Sequence, residues 1–255
     1  MFIKHLVRQF FDVLGYEIRR KSTSVLSKAP ADAFATQQQL LQGKAKVVFD
    51  VGAHIGEITR IYRTLFPAAT IHAFEPSPLS FQQLINATQN DINIHAYQTA
   101  LSDSAVETPF FANTNAYTNS LLQIDDRANN YWGEGRLQEQ AKLFLKTQTL
   151  DSFCEQNGLS QIDLLKLDVQ GAEWLVLNGA TKLLSQQEIS LIYMEIIVAP
   201  TYKDQRKMHE YMQFLDDNKY ELVNIYNMIY SDEYLVQCDA LFISSLFKYR
   251  RLGKE

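Results

Sequence analysis

The chemistry in this chain is concentrated in acids placed next to glycine turns. In V-F-D-V-G-A-H-I-G-E-I-T (residues 48–59), Asp50 precedes Gly52, and Gly56 follows four positions later. Gly52 can take the positive φ of a tight turn, Gly56 lets a helix approach closely, and the free N–H groups at a helix start face a ligand. No Gly-Lys-Ser/Thr follows, so this is not a phosphate-gripping loop. Glu75 closes the next apolar run, 23 positions after Gly52, close to the spacing of about 20 at which an acid binds ribose hydroxyls. A carboxylate there can accept two hydrogen bonds from a cis-diol, which implies an adenosine-type ligand. Further on, Asp168 ends L-L-K-L-D, Gly171 lets the chain turn, Glu173 begins a helix, and Glu195 stands in Y-M-E-I. A carboxylate within hydrogen-bond reach of a hydroxyl is the economical general base.

The charge around the first turn narrows the ligand. A dinucleotide sets its pyrophosphate against a glycine at the middle position of the loop. Here that position is His54, and Asp50 adds a negative charge beside it. S-adenosylmethionine instead brings a sulfonium and an ammonium, for which an anionic strand end is favourable. Each acid also has a structural alternative. Asp50 would cap the turn, Asp168 would cap the next helix, and Glu173 would complement that helix's dipole.

Positioning these residues takes a strand and helix alternation. Residues 46–51, 70–74, 92–97, 161–168 and 189–196 read as strands, with helices over 55–65, 78–88, 172–184 and 203–218. Two strands flank a turn at 102–104, and a strand pair at 220–225 and 239–244 completes the pattern. The expected fold is α/β: a doubly wound, mostly parallel seven-stranded sheet with helices on both faces. In such sheets ligands bind outside the carboxyl ends of the strands. Residues 50–56, 75, 101–103, 168–173 and 195 would therefore share one edge. Residues 22–42, rich in Ser, Ala and Gln, read as a connector. Residues 113–141 are rich in Asn, Asp, Gly and Gln, carry Tyr117, Tyr131 and Trp132, and are too long for an ordinary loop, so a lid or insertion is expected.

VFDVGAHIGEIT, then HAFEPSP (72–78), then LLKLDVQGAEWLVLNGA (164–180) resemble, in order and spacing, the three signatures of FkbM-type S-adenosylmethionine-dependent methyltransferases. The resemblance spans roughly residues 44–244. It implies a Rossmann-like methyltransferase domain over 44–247, with residues 1–43 before it and a tail at 248–255. It further implies S-adenosylmethionine as cofactor and in-line methyl transfer to a sugar hydroxyl or related small molecule. By position, Asp50, Gly52, Ala53, His54 and Gly56 would form the loop at the methionine end. Glu75 would hold the ribose, and Ser102 and Asp103 would lie near the adenine. Asp168, Glu173 and Glu195 are the candidates for proton abstraction. Tyr117, Asn119 and Ser120 would meet the acceptor, and Lys166, sharing a strand face with Asp168, would pair with a site carboxylate or the substrate. Two departures stand out: His54 where the family usually has Asn, and Gln170 where it often has Glu. The second removes a carboxylate, and no metal site is expected.

Composition sets outer bounds. The chain has 255 residues, 46% of them hydrophobic and 21% charged, which suits a packed domain and excludes wholesale disorder. Its longest apolar runs fall far short of the roughly 20 residues of a membrane span. Cys154 and Cys238 form neither a metal cluster nor a disulfide framework, so a reducing, cytoplasmic setting is expected. Residues 1–28 hold six basic residues against two acidic ones, leaving 18 against 27 for the rest. Ile3, Leu6, Val7, Phe10 and Leu14 recur there at helical spacing. A basic amphipathic helix over residues 1–20 would lie on the inner membrane surface or pack on its own domain. The acidic remainder offers no basic stripe for nucleic acid. Two rival functions remain open, a cofactor-binding adaptor without catalysis and an NAD-dependent oxidoreductase. Oligomeric state is left open.

Overall fold

The computed structural model describes residues 32–253. Seven strands form the main sheet in the order β3-β2-β1-β7-β8-β10-β9. Here β1 is Val47–Val51, β2 Thr70–Phe74, β3 Ile94–Tyr97, β7 Ile162–Leu167, β8 Ile189–Ile197, β9 Tyr220–Ser231 and β10 Tyr234–Ser244. The first five run parallel, and β10 is antiparallel to both β8 and β9. Strand order reverses between β1 and β7, so the edge above their carboxyl ends is the place for a ligand.

The period of two along each strand divides the core into two layers. Phe49, Val51, Phe74, Leu165, Leu167, Ile192 and Met194 fill one face, against α5 (Leu150–Gln156), α6 (Glu173–Asn178), α7 (Thr181–Ser185) and α8 (Met208–Asp217). Val48, Ile71, Leu164, Leu191 and Leu241 fill the other, where Tyr62 and Phe66 of the α2 (Glu57–Leu65) segment pack. Fully buried strand residues on both faces are what an enclosed parallel sheet requires, and they explain the unbroken apolar runs. The α3 helix (Pro78–Thr88) connects β2 to β3.

Several expectations are corrected. Part of the expected connector is a helix, α1 (Ala33–Leu40), capped by Asp32, whose Oδ1 accepts from Ala35 N at 2.7 Å. Ala33, Leu41 and Ala45 are buried, and Tyr226 donates to Thr36 Oγ1 at 2.9 Å. The packed body therefore begins ahead of residue 44, and small residues at helical spacing had disguised the helix as linker. The expected helix over 172–184 is two helices, interrupted at Gly179 and Ala180, and Gly179 passes so close to the Ser102 carbonyl that a Cβ there would lie 2.0 Å from its oxygen.

Only the ends of the expected lid over 113–141, Asn113 and residues 139–141, join a second sheet. β6 (Glu139–Gln148) pairs antiparallel with β5 (Glu107–Asn113) and parallel with β4 (Ala100–Leu101). Most of β6 is exposed, so it lacks the apolar alternation that marks a half-buried strand. The expected tail at 248–255 starts inside α9 (Ser245–Arg251), which Ser244 caps and an ion pair from Lys248 to Glu221 ties to β9. The amphipathic segment at residues 1–20 lies outside the described residues. Among the described residues, no helix is long and apolar enough to cross a membrane.

Candidate active site

The β1 turn is built around a buried ion pair. The parallel register sets Asp50 beside Lys166. Their side chains meet at 3.0 Å with almost no exposure, Thr59 Oγ1 donates to Asp50 Oδ2 at 2.6 Å, and Lys166 Nζ donates to the Gly52 carbonyl at 2.9 Å. Burial alone would lower the Lys166 pKa, but Asp50 and Asp168 outweigh it and hold the ammonium charged. Gly52, at φ 79°, passes against β7: a Cβ there would sit 1.8 Å from the Asp168 carbonyl oxygen. Gly52 N and Ala53 N both donate to Phe74 O, fastening the turn to β2. His54, at φ 49°, donates its N–H to Glu75 Oε2 at 2.9 Å, and Ser77 N donates to Oε1 at 2.8 Å.

A cavity of about 330 Å³ opens above these strand ends, within the range of roughly 300–1,000 Å³ usual for small-molecule sites. Gly52, His54, Glu75, Asp168, Gln170 and Glu195 line it together. Glu75 is 6% exposed, and burial pushes its pKa up to about 7 against the pull of the two backbone N–H groups. At the far wall the Gln170 amide donates to Asp168 Oδ1 at 3.0 Å and to Glu195 Oε2 at 2.7 Å, and Gln237 Nε2 donates to Glu195 Oε1 at 2.6 Å. Burial, and then the neighbouring Asp168, raise the Glu195 pKa well above its ordinary value.

The roof comes from the 113–138 segment. Tyr117 lies over the His54 ring, with centroids 4.0 Å apart. Ser120 Oγ donates to the Gln170 carbonyl at 2.7 Å, Asn119 Oδ1 accepts from Asn113 N at 2.7 Å, and Trp132 of α4 (Asn129–Trp132) donates to Thr201 Oγ1 at 2.7 Å. Tyr202 OH lies 2.9 Å from the Thr118 carbonyl and 3.1 Å from Gln170 Oε1.

A family model described as the methyltransferase FkbM domain matches residues 50–222, which contain every cavity-lining residue named above except Gln237. The chain belongs to this family. Among its relatives, the 2-O-methyltransferase NoeI of Sinorhizobium fredii is 26% identical over 72% of this chain and 76% of its own. The 31-O-demethyl-FK506 methyltransferase FkbM of Streptomyces tacrolimicus is 31% identical over 52% of this chain and 58% of its own. The hexuronic acid methyltransferase AglP of Haloferax volcanii is 28% identical over 64% of this chain and 60% of its own. For the last two, as for the Beauveria bassiana relative covered over 57% of its length, the chain spans less than two thirds of the relative.

Within this FkbM domain, the residues named from sequence divide into two groups. Gly52, His54, Glu75, Tyr117, Asn119, Ser120, Asp168 and Glu195 line the cavity. Asp50 and Lys166 lie beneath it and neutralise each other, so the anionic strand end expected to face the ligand is already paired. Ala53 and Gly56 shape the turn from behind; Gly56, at φ 85°, packs against Leu84. Ser102 and Asp103 do not reach the cavity, because pairing of β4 with β6 leads them away. Thr99, Ala100 and Leu101 line it instead. Glu173 is 1% exposed, and its Oε1 accepts from Val169 N at 2.9 Å. Burial pushes its pKa up to about 7, and it braces the loop after β7 rather than facing the cavity. Sequence reasoning missed Tyr202 and Gln237. Tyr202 sits just beyond β8, where the strand-end rule applied one turn further would have found it, whereas Gln237 enters from an antiparallel strand that the rule does not cover.

Proposed function

We propose that the protein is an S-adenosylmethionine-dependent O-methyltransferase whose acceptor is a sugar hydroxyl or a related small polyol. The observation that carries this reading is the convergence on one cavity of Glu75, just after β2, Asp168, just after β7, and Glu195, near the end of β8. Among the relatives, a hexuronic acid methyltransferase supports a sugar-type acceptor, and a 2-O-methyltransferase supports oxygen as the atom methylated.

The residues present fit the cofactor. Gly52, having no side chain, lets the turn lie against β7 with its backbone at the cavity, and His54 keeps a buried Nδ1 without a partner. Each Glu75 oxygen accepts one backbone N–H and retains a lone pair for a ribose hydroxyl. Thr99, Leu101 and Phe74 offer an apolar wall for the base. When bound, S-adenosylmethionine supplies an electrophilic methyl on a cationic sulfonium.

The protein's share is orientation and proton transfer. Asp168, with its side chain 39% exposed, is the reachable carboxylate, and it takes the acceptor hydroxyl's proton as the oxygen attacks. Glu195, held by two amides, keeps negative potential or a hydrogen-bonding proton beside it. The roof narrows the poses open to the acceptor, and holding its hydroxyl in line with the methyl supplies much of the rate. Calorimetric titration with S-adenosylhomocysteine tests the reading. Micromolar binding to the wild type that is lost in Glu75→Ala supports it; no binding to folded wild type sinks it.

A further inference from the structure

Two carboxylates with a single amide between them need explaining. Asp168 Oδ1 and Glu195 Oε2 both contact Gln170 Nε2, at 3.0 and 2.7 Å, so the two acids stand on either side of one nitrogen. Like charges this close disfavour joint ionisation, and one would ordinarily keep its proton. The groups facing them add more negative than positive charge. Lys166 lies 3.7 Å from Asp168 but is shared with Asp50, while Glu173 from α6 and Asp239 from β10 both bear on Glu195. His54 and Tyr202 also face Asp168.

Gln170 is fixed from every side. Its backbone sits at φ 57°, its carbonyl accepts from Ser120 Oγ at 2.7 Å, and its Oε1 lies 3.1 Å from Tyr202 OH. A left-handed backbone at an unbranched, non-glycine residue persists where surrounding contacts over-determine it. Those contacts come from the roof and from the loop after β8, so the amide's place is set by parts of the chain with no other reason to meet.

We propose that Gln170 is a positioning residue: its side-chain amide, donating one N–H to each carboxylate, keeps Asp168 and Glu195 apart and holds the Asp168 carboxyl group open toward the acceptor. An N–H donor stabilises the charged form of each acid, and a donor shared by two relieves the repulsion between them. Gln237 makes the corresponding contact on the other Glu195 oxygen, so both oxygens of that carboxylate are occupied by amides and only Asp168 is left with an open face. The proposal rests on the reading that these two acids face the acceptor. Its test needs neither acceptor nor cofactor, so its failure and the failure of that reading are separate results.

Gln170→Met keeps length, shape and backbone strain while deleting the donor. The experiment is thermal unfolding of the full chain at pH 5 and pH 8, each against wild type. At pH 8 the variant should unfold roughly 5 °C lower, since hydrogen bonds to charged groups are lost. At pH 5, where a proton can take the amide's place between the acids, the deficit should shrink to less than half of that. A residue that only filled space would lower the midpoint equally at both values, and that result overturns the proposal. If Gln170→Met does not fold, Gln170→Glu decides: a third carboxylate there must cost much more at pH 8 than at pH 5, and an equal cost refutes the role.

Discussion

Burial of Glu75 makes cofactor binding a proton-linked event. Its pKa is pushed up to about 7 because the desolvation of a carboxylate that is only 6% exposed outweighs two backbone donors. A ribose diol donates to the carboxylate, so the bound complex prefers the ionised form and binding expels the proton. With a free-state pKa of about 7, the ionised fraction is roughly one tenth at pH 6 and nine tenths at pH 8. The affinity for S-adenosylhomocysteine should therefore fall about tenfold between pH 8 and pH 6, or about 1.4 kcal/mol. At pH 7 about half a proton should leave per ligand bound, measured as the dependence of calorimetric enthalpy on the ionisation enthalpy of the buffer. Glu75→Gln, which keeps the shape and cannot titrate, should bind more weakly and show no slope. A wild-type affinity that is flat from pH 6 to pH 8, or a Gln variant with the same slope, would refute the reasoning. The free protein carries the opposite signature. Glu75 and Glu173 are both raised from 4.5 to about 7, so the stability tied to their protonation is full below about pH 4.5 and is lost as pH rises through 7. Saturating ligand should offset the Glu75 part of that loss.

Lys166→Met should lower stability at neutral pH by about 3–5 kcal/mol, because it leaves Asp50 buried without its counter-charge. Lys166→Met combined with Asp50→Asn should recover much of that in chemical denaturation; a double variant as unstable as the sum of the single ones would show that the pair is not coupled. For the basic amphipathic segment, the full chain should cosediment with anionic liposomes and lose this on deletion of residues 1–20. Cosedimentation that survives the deletion places the membrane contact elsewhere.

The strand-end rule made Gly52, Glu75, Asp168 and Glu195 legible because parallel strands bring their carboxyl ends to one edge, wherever each lies in the chain. It is silent on elements that enter that edge the other way. Gln237 arrives on β10, whose start rather than its end is at the cavity, and β6 hides because most of its residues face solvent and carry no apolar alternation. Asp50 shows a different limit. Its position before the turn was readable, and so was a site carboxylate as one partner for Lys166, but not which carboxylate: the register that sets Asp50 beside Lys166 shows that the charge is spent inside the fold. The same register explains why a lysine stands in an otherwise apolar strand, since a buried acid under a ligand turn must be neutralised before the turn can hold its shape. The acids left to face the cavity are then Glu75, Asp168 and Glu195, at or near three strand ends on one edge. Burial raises the pKa of both Glu75 and Glu195, so pH as well as substitution separates their roles.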